Sequence, residues 1–240
     1  MVKLTIDDKA VEAEEGSTIL DAAKKVGINI PTLCSHESLS SIGSCRVCTV
    51  EIITDGQSNL ATACTYPVGA GFEVKTNSEK VIEARRLAVE LLLAQRPHSD
   101  RIRELAKKLS IEKPSFTLKE KECILCELCV RACHEIVGAD AITFIAQGIN
   151  RGIDEPSIEV SSIRCIGCDT CAYICPTQAI TVEDVGDTRI ITIPSGKMEF
   201  KLKRCKTCGK YWTPEKQLDY IIEKWHLEPG IFDTCPDCRD

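Results

Sequence analysis

The chemistry of this chain lies in its cysteines: 16 of them in 240 residues, falling into four sets of four. Cys34, Cys45, Cys48 and Cys64 are spaced C-x10-C-x2-C-x15-C. Cys123, Cys126, Cys129 and Cys133 are spaced C-x2-C-x2-C-x3-C, and the same spacing returns 42 residues later as Cys165, Cys168, Cys171 and Cys175. Cys205, Cys208, Cys235 and Cys238 make two C-x2-C pairs separated by 26 residues. Thiolates are soft ligands that suit iron-sulfur clusters and zinc. Disulfides are the competing use. The start, MVKLTIDDKAVEAEEG, is charged and alternating with no apolar signal-peptide core, and no stretch approaches the length of a membrane span. The chain therefore reads as cytoplasmic, without membrane insertion, where thiols stay reduced or bind metal.

These ligands must be positioned by folded elements, and the composition supplies them. The chain is 43% hydrophobic and 28% charged, so it buries a core and is not disordered. Aromatics are only 5%, so small cores need help, and metal ligation is the obvious source. A net charge of -6 argues against nucleic acid, whose phosphates demand a basic face. Val2, Leu4 and Ile6 alternate as a strand, Asp7-Asp8 marks a turn, and Lys9 to Ala13 is a second strand. Ser17 is expected to cap a helix bearing Ile19, Ala22, Ala23 and Val26 on one face, with Gly27 as its stop. Val47 to Ile53 is β-rich, Asp55-Gly56 reads as a hairpin turn, and Phe72 and Val74 suit a closing strand. From 79 to 114 the pattern is helical, with one stripe of Val81, Ala84, Ala88, Leu91 and Leu92 and a second of Ile102, Leu105, Ala106 and Leu109. In the repeat, Ala141-Ile142-Thr143 recurs as Ala179-Ile180-Thr181 at an offset of 38 rather than 42, which places four extra residues beside Cys133. Between the last two cysteine pairs, Leu218, Ile221, Ile222 and Trp225 form a helical stripe expected to be a core for the metal site. The expected division is 1–78, 79–114, 115–195 and 196–240.

The doubled C-x2-C-x2-C-x3-C resembles bacterial ferredoxins, in which three close thiolates hold three corners of a 4Fe-4S cube and the fourth comes from the other half. That resemblance implies Cys123, Cys126, Cys129 and Cys175 on one cluster, and Cys165, Cys168, Cys171 and Cys133 on the other. Cys175 is followed by the usual Pro176, whereas Cys133 is followed by His134. The first set, with Gly43-Ser44-Cys45-Arg46-Val47-Cys48, resembles the 2Fe-2S domain that opens the large iron-sulfur subunit of respiratory complex I and its relatives in NAD-linked hydrogenases. It implies a 2Fe-2S cluster on Cys34, Cys45, Cys48 and Cys64, with Gly43 and Ser44 turning N-H groups towards sulfur. The last set predicts a tetrahedral four-thiolate site at Cys205, Cys208, Cys235 and Cys238, with zinc as occupant and iron as competitor, since Cys208-Gly209-Lys210-Tyr211-Trp212 resembles a rubredoxin knuckle. Lys201, Lys203, Arg204, Lys206 and Lys210 crowd this knuckle, either to dock an acidic partner or to compensate thiolate charge.

Over residues 1 to 195 the layout resembles the small iron-sulfur subunit of the diaphorase part of NAD-reducing and electron-bifurcating hydrogenases. In that family a His-Pro-x-x-Cys motif and two more cysteines hold a further cluster; here Arg96 and Asp100 stand at the histidine and first cysteine positions, so that cluster is expected to be absent. His98 reads as an exposed loop residue. The expected fold is α+β: a β-grasp 2Fe-2S ferredoxin domain, a helical connector, a bacterial-type two-4Fe-4S ferredoxin domain and a small C-terminal four-Cys segment. The resemblance implies an electron-transfer subunit between an FMN- and NADH-binding flavoprotein and a terminal redox subunit, either a hydrogenase, a formate dehydrogenase or an NADP-linked flavoprotein, with ferredoxin as a further partner and electron bifurcation as the setting. A free-standing multi-cluster ferredoxin is the alternative. No substrate-converting site is visible: there is no P-loop, no G-x-G-x-x-G opening a helix, and only four histidines.

Overall fold

The computed structural model describes residues 1–145 and 157–239. It separates into two compact units, Met1–Cys126 and Glu127–Asp240.

In the first unit β1 (Val2–Ile6) and β2 (Lys9–Ala13) pair antiparallel across a turn in which Asp7 and Asp8 both take positive φ. β3 (Thr49–Thr54) and β4 (Gln57–Thr62) form a second hairpin around Asp55-Gly56. β5 (Glu73–Lys75) joins the two, parallel to β1 and antiparallel to β3, giving the order β2-β1-β5-β3-β4. Helix α1 (Ile19–Lys25) lays Ile19, Leu20, Ala22 and Ala23 into a core with Leu4, Ile6, Val11, Val50, Ile52 and Val74. This sheet wrapped on one helix is the β-grasp arrangement. β4 was not legible as a strand because its first four residues are exposed: it is an edge strand with no alternating apolar face.

The cap of α1 differs from expectation by one residue. Thr18 is the N-cap, accepting from the Asp21 N-H at 3.1 Å while Asp21 reaches back to the Thr18 N-H. Ser17 instead donates to the Glu14 carbonyl at 2.6 Å. The capping box T-x-x-D outcompetes Ser17 because only it satisfies two helix-end donors at once. Replacing Thr18 by Ala is expected to cost about 1 kcal/mol, which hydrogen exchange would read as roughly fivefold faster opening of the α1 amides.

Helix α2 (Glu79–Gln95) is capped by Ser78, and α3 (Asp100–Lys108) follows after Pro97. The buried face of α2 is Val81, Arg85, Val89, Leu92, Leu93 and Ala94, which shares Val81 and Leu92 with the expected stripe and replaces its other members. Ala84 and Ala88 are half-buried and Leu91 is exposed, lining a shallow surface groove with Leu60 and Leu87. The middle of the buried face departs from the stripe because it contains an arginine, a residue type with no apolar signal. At the start of α2, Lys80 pairs at 3.1 Å with buried Glu51 of β3, which also takes a hydrogen bond from Ser58. The Ser58 bond, followed by those of Ser78 and Lys80, holds that carboxyl down to about 2.

The second unit begins with α4 (Leu128–Arg131), which runs into a π-helical turn at Ala132–Val137. β6 (Ile142–Ile145) and β7 (Ser157–Val160) pair antiparallel. Next come α5 (Thr170–Ile174) and a meander of β8 (Thr181–Val185), β9 (Thr188–Ile193), β10 (Gly196–Arg204) and β11 (Tyr211–Pro214), in the order β11-β10-β9-β8. Helix α6 (Glu215–Trp225) follows. The extra residues after Cys133 are thus accommodated by the π-helical turn, closed by Gly138 at φ 73. The positive φ is what calls for glycine in this turn; a Cβ there would only displace the flexible end of Lys224. β9 and β10 pair on either side of residue 195, so the C-terminal segment extends a sheet begun in the ferredoxin repeat. Its helix is less buried than the sequence stripe suggests: Leu218 is buried, Ile221 and Ile222 are half-buried, and Trp225 is 67% exposed. Among the described residues, no helix is long and apolar enough to cross a membrane.

Candidate metal centres

None of the sixteen cysteines is in a disulfide. The first set sits in the loop between α1 and β3 and just beyond β4, with Cys34, Cys45, Cys48 and Cys64 all buried. Its sulfurs form two close couples. Cys45 N-H donates to Cys34 Sγ at 3.4 Å, and Cys48 and Cys64 Sγ lie 3.4 Å apart. The Cys34 thiol donates to Cys45 and lowers its pKa to about 7, while Cys34 itself is raised; Cys48 and Cys64 form a second raised and lowered couple. Backbone N-H groups of Ser44 and Cys45 face Cys34, and that of Gly43 faces Cys64. This is the role expected of the Gly43-Ser44 loop. Arg46 holds φ 59 between Cys45 and Cys48, which turns the loop so that both cysteines face inwards. Two couples of sulfurs ringed by N-H donors fit the chemistry of a 2Fe-2S group, one couple for each iron.

The ferredoxin repeat is visible in backbone detail. Leu125 and Glu127 take φ 55 and 56, and their counterparts 42 residues on, Gly167 and Asp169, take φ 76 and 64. Leu125 N-H donates to Cys123 Sγ at 3.4 Å, and Gly167 N-H serves Cys165 in the same way. At the offset of 38, Ala141 N-H donates to Cys133 Sγ and Ala179 N-H to Cys175 Sγ, each at 3.3 Å. The left-handed residues are what let successive amides converge on sulfur, as in the anion-binding backbone concavities of other proteins. Gly167 carries a further demand absent from the first half: a Cβ there would approach Phe200 of β10 to 2.8 Å and Pro214 to 3.0 Å.

In the second unit, one cavity is lined by Cys133, Cys165, Cys168 and Cys171, together with Ile142, Ile166, Ile191, Ile193 and Met198. Those four cysteines are the set expected to share one cluster, three from one half of the repeat and one from the other. The walls are apolar. Burial accordingly raises the thiols of Cys133, Cys165 and Cys171, the last to about 12. Thiols that resist ionisation among apolar walls are what a cationic iron-sulfur core would convert to thiolates. Of the other set, Cys126 and Cys129 are buried, and Cys123 and Cys175 are half-buried. Arg96 closes α2 and Ser99 precedes α3, with His98 exposed at 3.9 Å from Glu120.

At the C-terminus the sulfurs of Cys205, Cys208, Cys235 and Cys238 all lie within 4.8 Å of one another. Cys208 and Cys235 Sγ are 3.7 Å apart. A metal-sulfur bond of about 2.3 Å puts tetrahedral sulfurs about 3.8 Å apart, so one ion fits; a cube of iron and sulfide would hold its ligands farther apart. The N-H groups of Cys208 and Cys235 pull the Cys205 thiol down to about 6, which favours the thiolate that a metal would take. The surrounding cations are largely spoken for: Lys201 pairs with Glu215 at 3.6 Å, Lys203 with Asp233 at 3.6 Å, Lys206 with the same Asp233, and Arg204 with the Gly209 carbonyl at 3.1 Å. These contacts tie the basic residues to the knuckle itself, while Lys201, Lys206 and Lys210 remain exposed.

Comparison with known proteins agrees with this geometry. Residues 1–79 match the family described as 2Fe-2S iron-sulfur cluster binding domain, and residues 164–210 match the 4Fe-4S dicluster domain. The chain is 35% identical over 202 residues to the alpha chain of the NADPH-Fe(3+) oxidoreductase of Geobacter sulfurreducens, covering 74% of this chain and 24% of the relative. It is 31% identical over 207 residues to a chain of the NADH-quinone oxidoreductase of Rhizobium meliloti, covering 75% and 24%. It is 34% identical over 215 residues to the HndD chain of the NADP-reducing hydrogenase of Solidesulfovibrio fructosivorans, covering 75% and 36%. The chain therefore spans 24 to 36% of the length of these relatives. Among solved structures, a chain of an NAD+-reducing [NiFe]-hydrogenase in the H2-reduced state superposes with a TM-score of 0.62 at 26% identity, covering 74% of this chain and 85% of that one. With its ligand loops and its sheet-and-helix layout in agreement with these matches, the chain carries a 2Fe-2S iron-sulfur cluster binding domain followed by a 4Fe-4S dicluster domain and is similar to subunits of NAD(P)-linked oxidoreductases and hydrogenases.

Proposed function

We propose that this chain is the electron-transfer subunit of a multi-subunit NADH-linked oxidoreductase, of electron-bifurcating transhydrogenase, hydrogenase or formate dehydrogenase type. It carries electrons between an FMN- and NADH-binding flavoprotein and a terminal redox subunit. The observation that bears most weight is the cavity lined by Cys133, Cys165, Cys168 and Cys171, a four-thiol set drawn from both halves of a repeat and walled with apolar side chains. Cys34, Cys45, Cys48 and Cys64 would hold a 2Fe-2S group; Cys123, Cys126, Cys129 and Cys175, and Cys165, Cys168, Cys171 and Cys133, would hold two 4Fe-4S groups. When bound, such groups supply one-electron steps, so hydride chemistry at NADH belongs to a flavin on another subunit. The protein's own work is to hold the thiolates, point N-H groups at sulfur and exclude water with Ile142, Ile191 and Ile193. Cys205, Cys208, Cys235 and Cys238 would bind zinc as a structural ion, their spacing matching one tetrahedral centre.

Anaerobic isolation from the native host tests the reading. A complex with a flavoprotein, about 10 Fe and about one Zn per copy of this chain, and visible absorption bleached by NADH is the expected result. A flavin-free monomer with the same iron, reducible by dithionite but not by NADH, would establish the free-standing ferredoxin instead. About 14 Fe without Zn would overturn the zinc assignment.

A further inference from the structure

Helix α2 carries one charged side chain into the interior of the N-terminal unit. Arg85 is 5% exposed. Its Nε donates at 2.9 Å to the carbonyl of Thr49, the residue that follows ligand Cys48 in the chain. Its Nη2 is buried and has no hydrogen-bond partner among the described residues. Burial pushes the Arg85 guanidinium down, and the acidic groups that work against this are Cys48 and then Asp7; Asp7 is already engaged by the Thr76 N-H at 2.7 Å.

A buried guanidinium left incompletely paired is costly, and folded proteins retain one only where something offsets its charge. Arg189, in the second unit, shows the ordinary solution. It holds Asp184 through Nε and Nη2 at 2.8 and 2.9 Å and Asp169 through Nη1 at 3.5 Å, so its charge is cancelled locally. Arg85 has no such clamp. A pair of ferric ions with two sulfides and four thiolates is a net dianion, and one added electron makes it a trianion without needing a proton. Such a group at Cys34, Cys45, Cys48 and Cys64 would supply the missing counter-charge, and would supply more of it when reduced. Inside protein, where the effective dielectric is far below that of water, that difference is felt across several ångströms.

We propose that Arg85 sets the reduction potential of the 2Fe-2S centre, raising it by stabilising the reduced form. The inference rests on the 2Fe-2S assignment and extends it: the connector helix would act as an electrostatic element of the first centre. Arg85 is held to the ligand loop by the Thr49 carbonyl and acts on the centre by its charge.

The test is redox titration of the full chain with dithionite, followed by electron paramagnetic resonance, which distinguishes a slowly relaxing 2Fe-2S signal from those of 4Fe-4S clusters. At the wild-type midpoint, Arg85→Met is expected to lower the reduced-to-oxidised ratio of the 2Fe-2S signal at least tenfold, which is 59 mV for one electron. Arg85→Lys should stay within threefold of wild type, and the 4Fe-4S midpoints serve as internal references that stay in place. If Arg85→Met does not accumulate as folded protein, Arg85→Gln, which keeps an amide donor for the Thr49 carbonyl, carries the same expectation. A smaller shift in both neutral variants, an equal shift in Arg85→Lys, or a common shift of all clusters would overturn the role of Arg85 while leaving the 2Fe-2S assignment standing. Wild-type protein with full iron in its other centres but no 2Fe-2S signal would overturn that assignment itself.

Discussion

Replacing Cys168 by Ala should lower the iron content of anaerobically prepared protein from about ten to about six atoms per chain, and adding Cys133→Ala should lower it no further. The pair isolates cross-ligation from the simpler idea that each half of the repeat holds its own cluster. Cys133 lines the same cavity as Cys165, Cys168 and Cys171 and receives the Ala141 N-H at 3.3 Å, so the two substitutions damage one centre. Residues acting on one unit are non-additive, and residues acting on separate units add. Cys126→Ala combined with Cys133→Ala should therefore leave about two atoms, those of the 2Fe-2S group, because each removes a different 4Fe-4S cluster. Were Cys133 a ligand of its own half, the outcomes would exchange: about two atoms for the Cys133 and Cys168 pair, about six for the Cys126 and Cys133 pair. Iron and sulfide quantification decides between them.

What the sequence made legible follows from the length scale of each interaction. A ligand loop is local: three cysteines two residues apart, with left-handed residues between them, define most of a metal site within ten residues, so the sets could be read from spacing alone. The β-grasp unit was legible for a related reason, since β1 alternates clearly, β3 is rich in β-branched residues and the turns at Asp7-Asp8 and Asp55-Gly56 are marked by residue type. The failures are tertiary. Arg85 lies on the buried face of α2 because the ligand loop gives its Nε a carbonyl, and nothing in the helix pattern announces that. Trp225 is exposed because the chain turns away at His226, which takes a left-handed conformation at the end of α6. The long-range bonds of α6 were equally invisible. Lys216 donates to the Ser162 and Ile163 carbonyls at 2.8 and 2.6 Å, and Tyr220 and Lys224 donate to the Val137 carbonyl at 3.0 and 3.1 Å, pairings separated by more than fifty residues in sequence.

Those bonds give the C-terminal metal a consequence beyond its own knuckle. Cys235→Ala should abolish the single zinc and leave iron near ten atoms in fresh anaerobic preparations, yet make about four of those irons several times more labile to a ferrous chelator. The first half of the expectation follows from magnitudes. In α6 only Leu218 is fully buried, and a buried leucine contributes about 2 kcal/mol, whereas four-thiolate zinc sites contribute on the order of 10 kcal/mol or more to small folds. The segment beyond β10 is therefore expected to depend on the proposed metal. The second half follows from where α6 is anchored. Val137 ends the turn that begins beside Cys133, and Ser162 and Ile163 lie just before Cys165, so α6 ties down the approaches to two cysteines that line one cavity and are proposed to share a 4Fe-4S group. Each bond from a charged or phenolic donor contributes about 1 to 3 kcal/mol at most and less where exposed, enough together to change how often the cavity opens without abolishing assembly. Time-resolved iron release should then show a fast phase of about four atoms in Cys235→Ala and a single slow phase in the parent protein. Zinc loss with unchanged iron release would mean that the knuckle folds independently of the cluster it adjoins, whereas a fast phase of about eight atoms would mean that α6 supports the whole ferredoxin repeat.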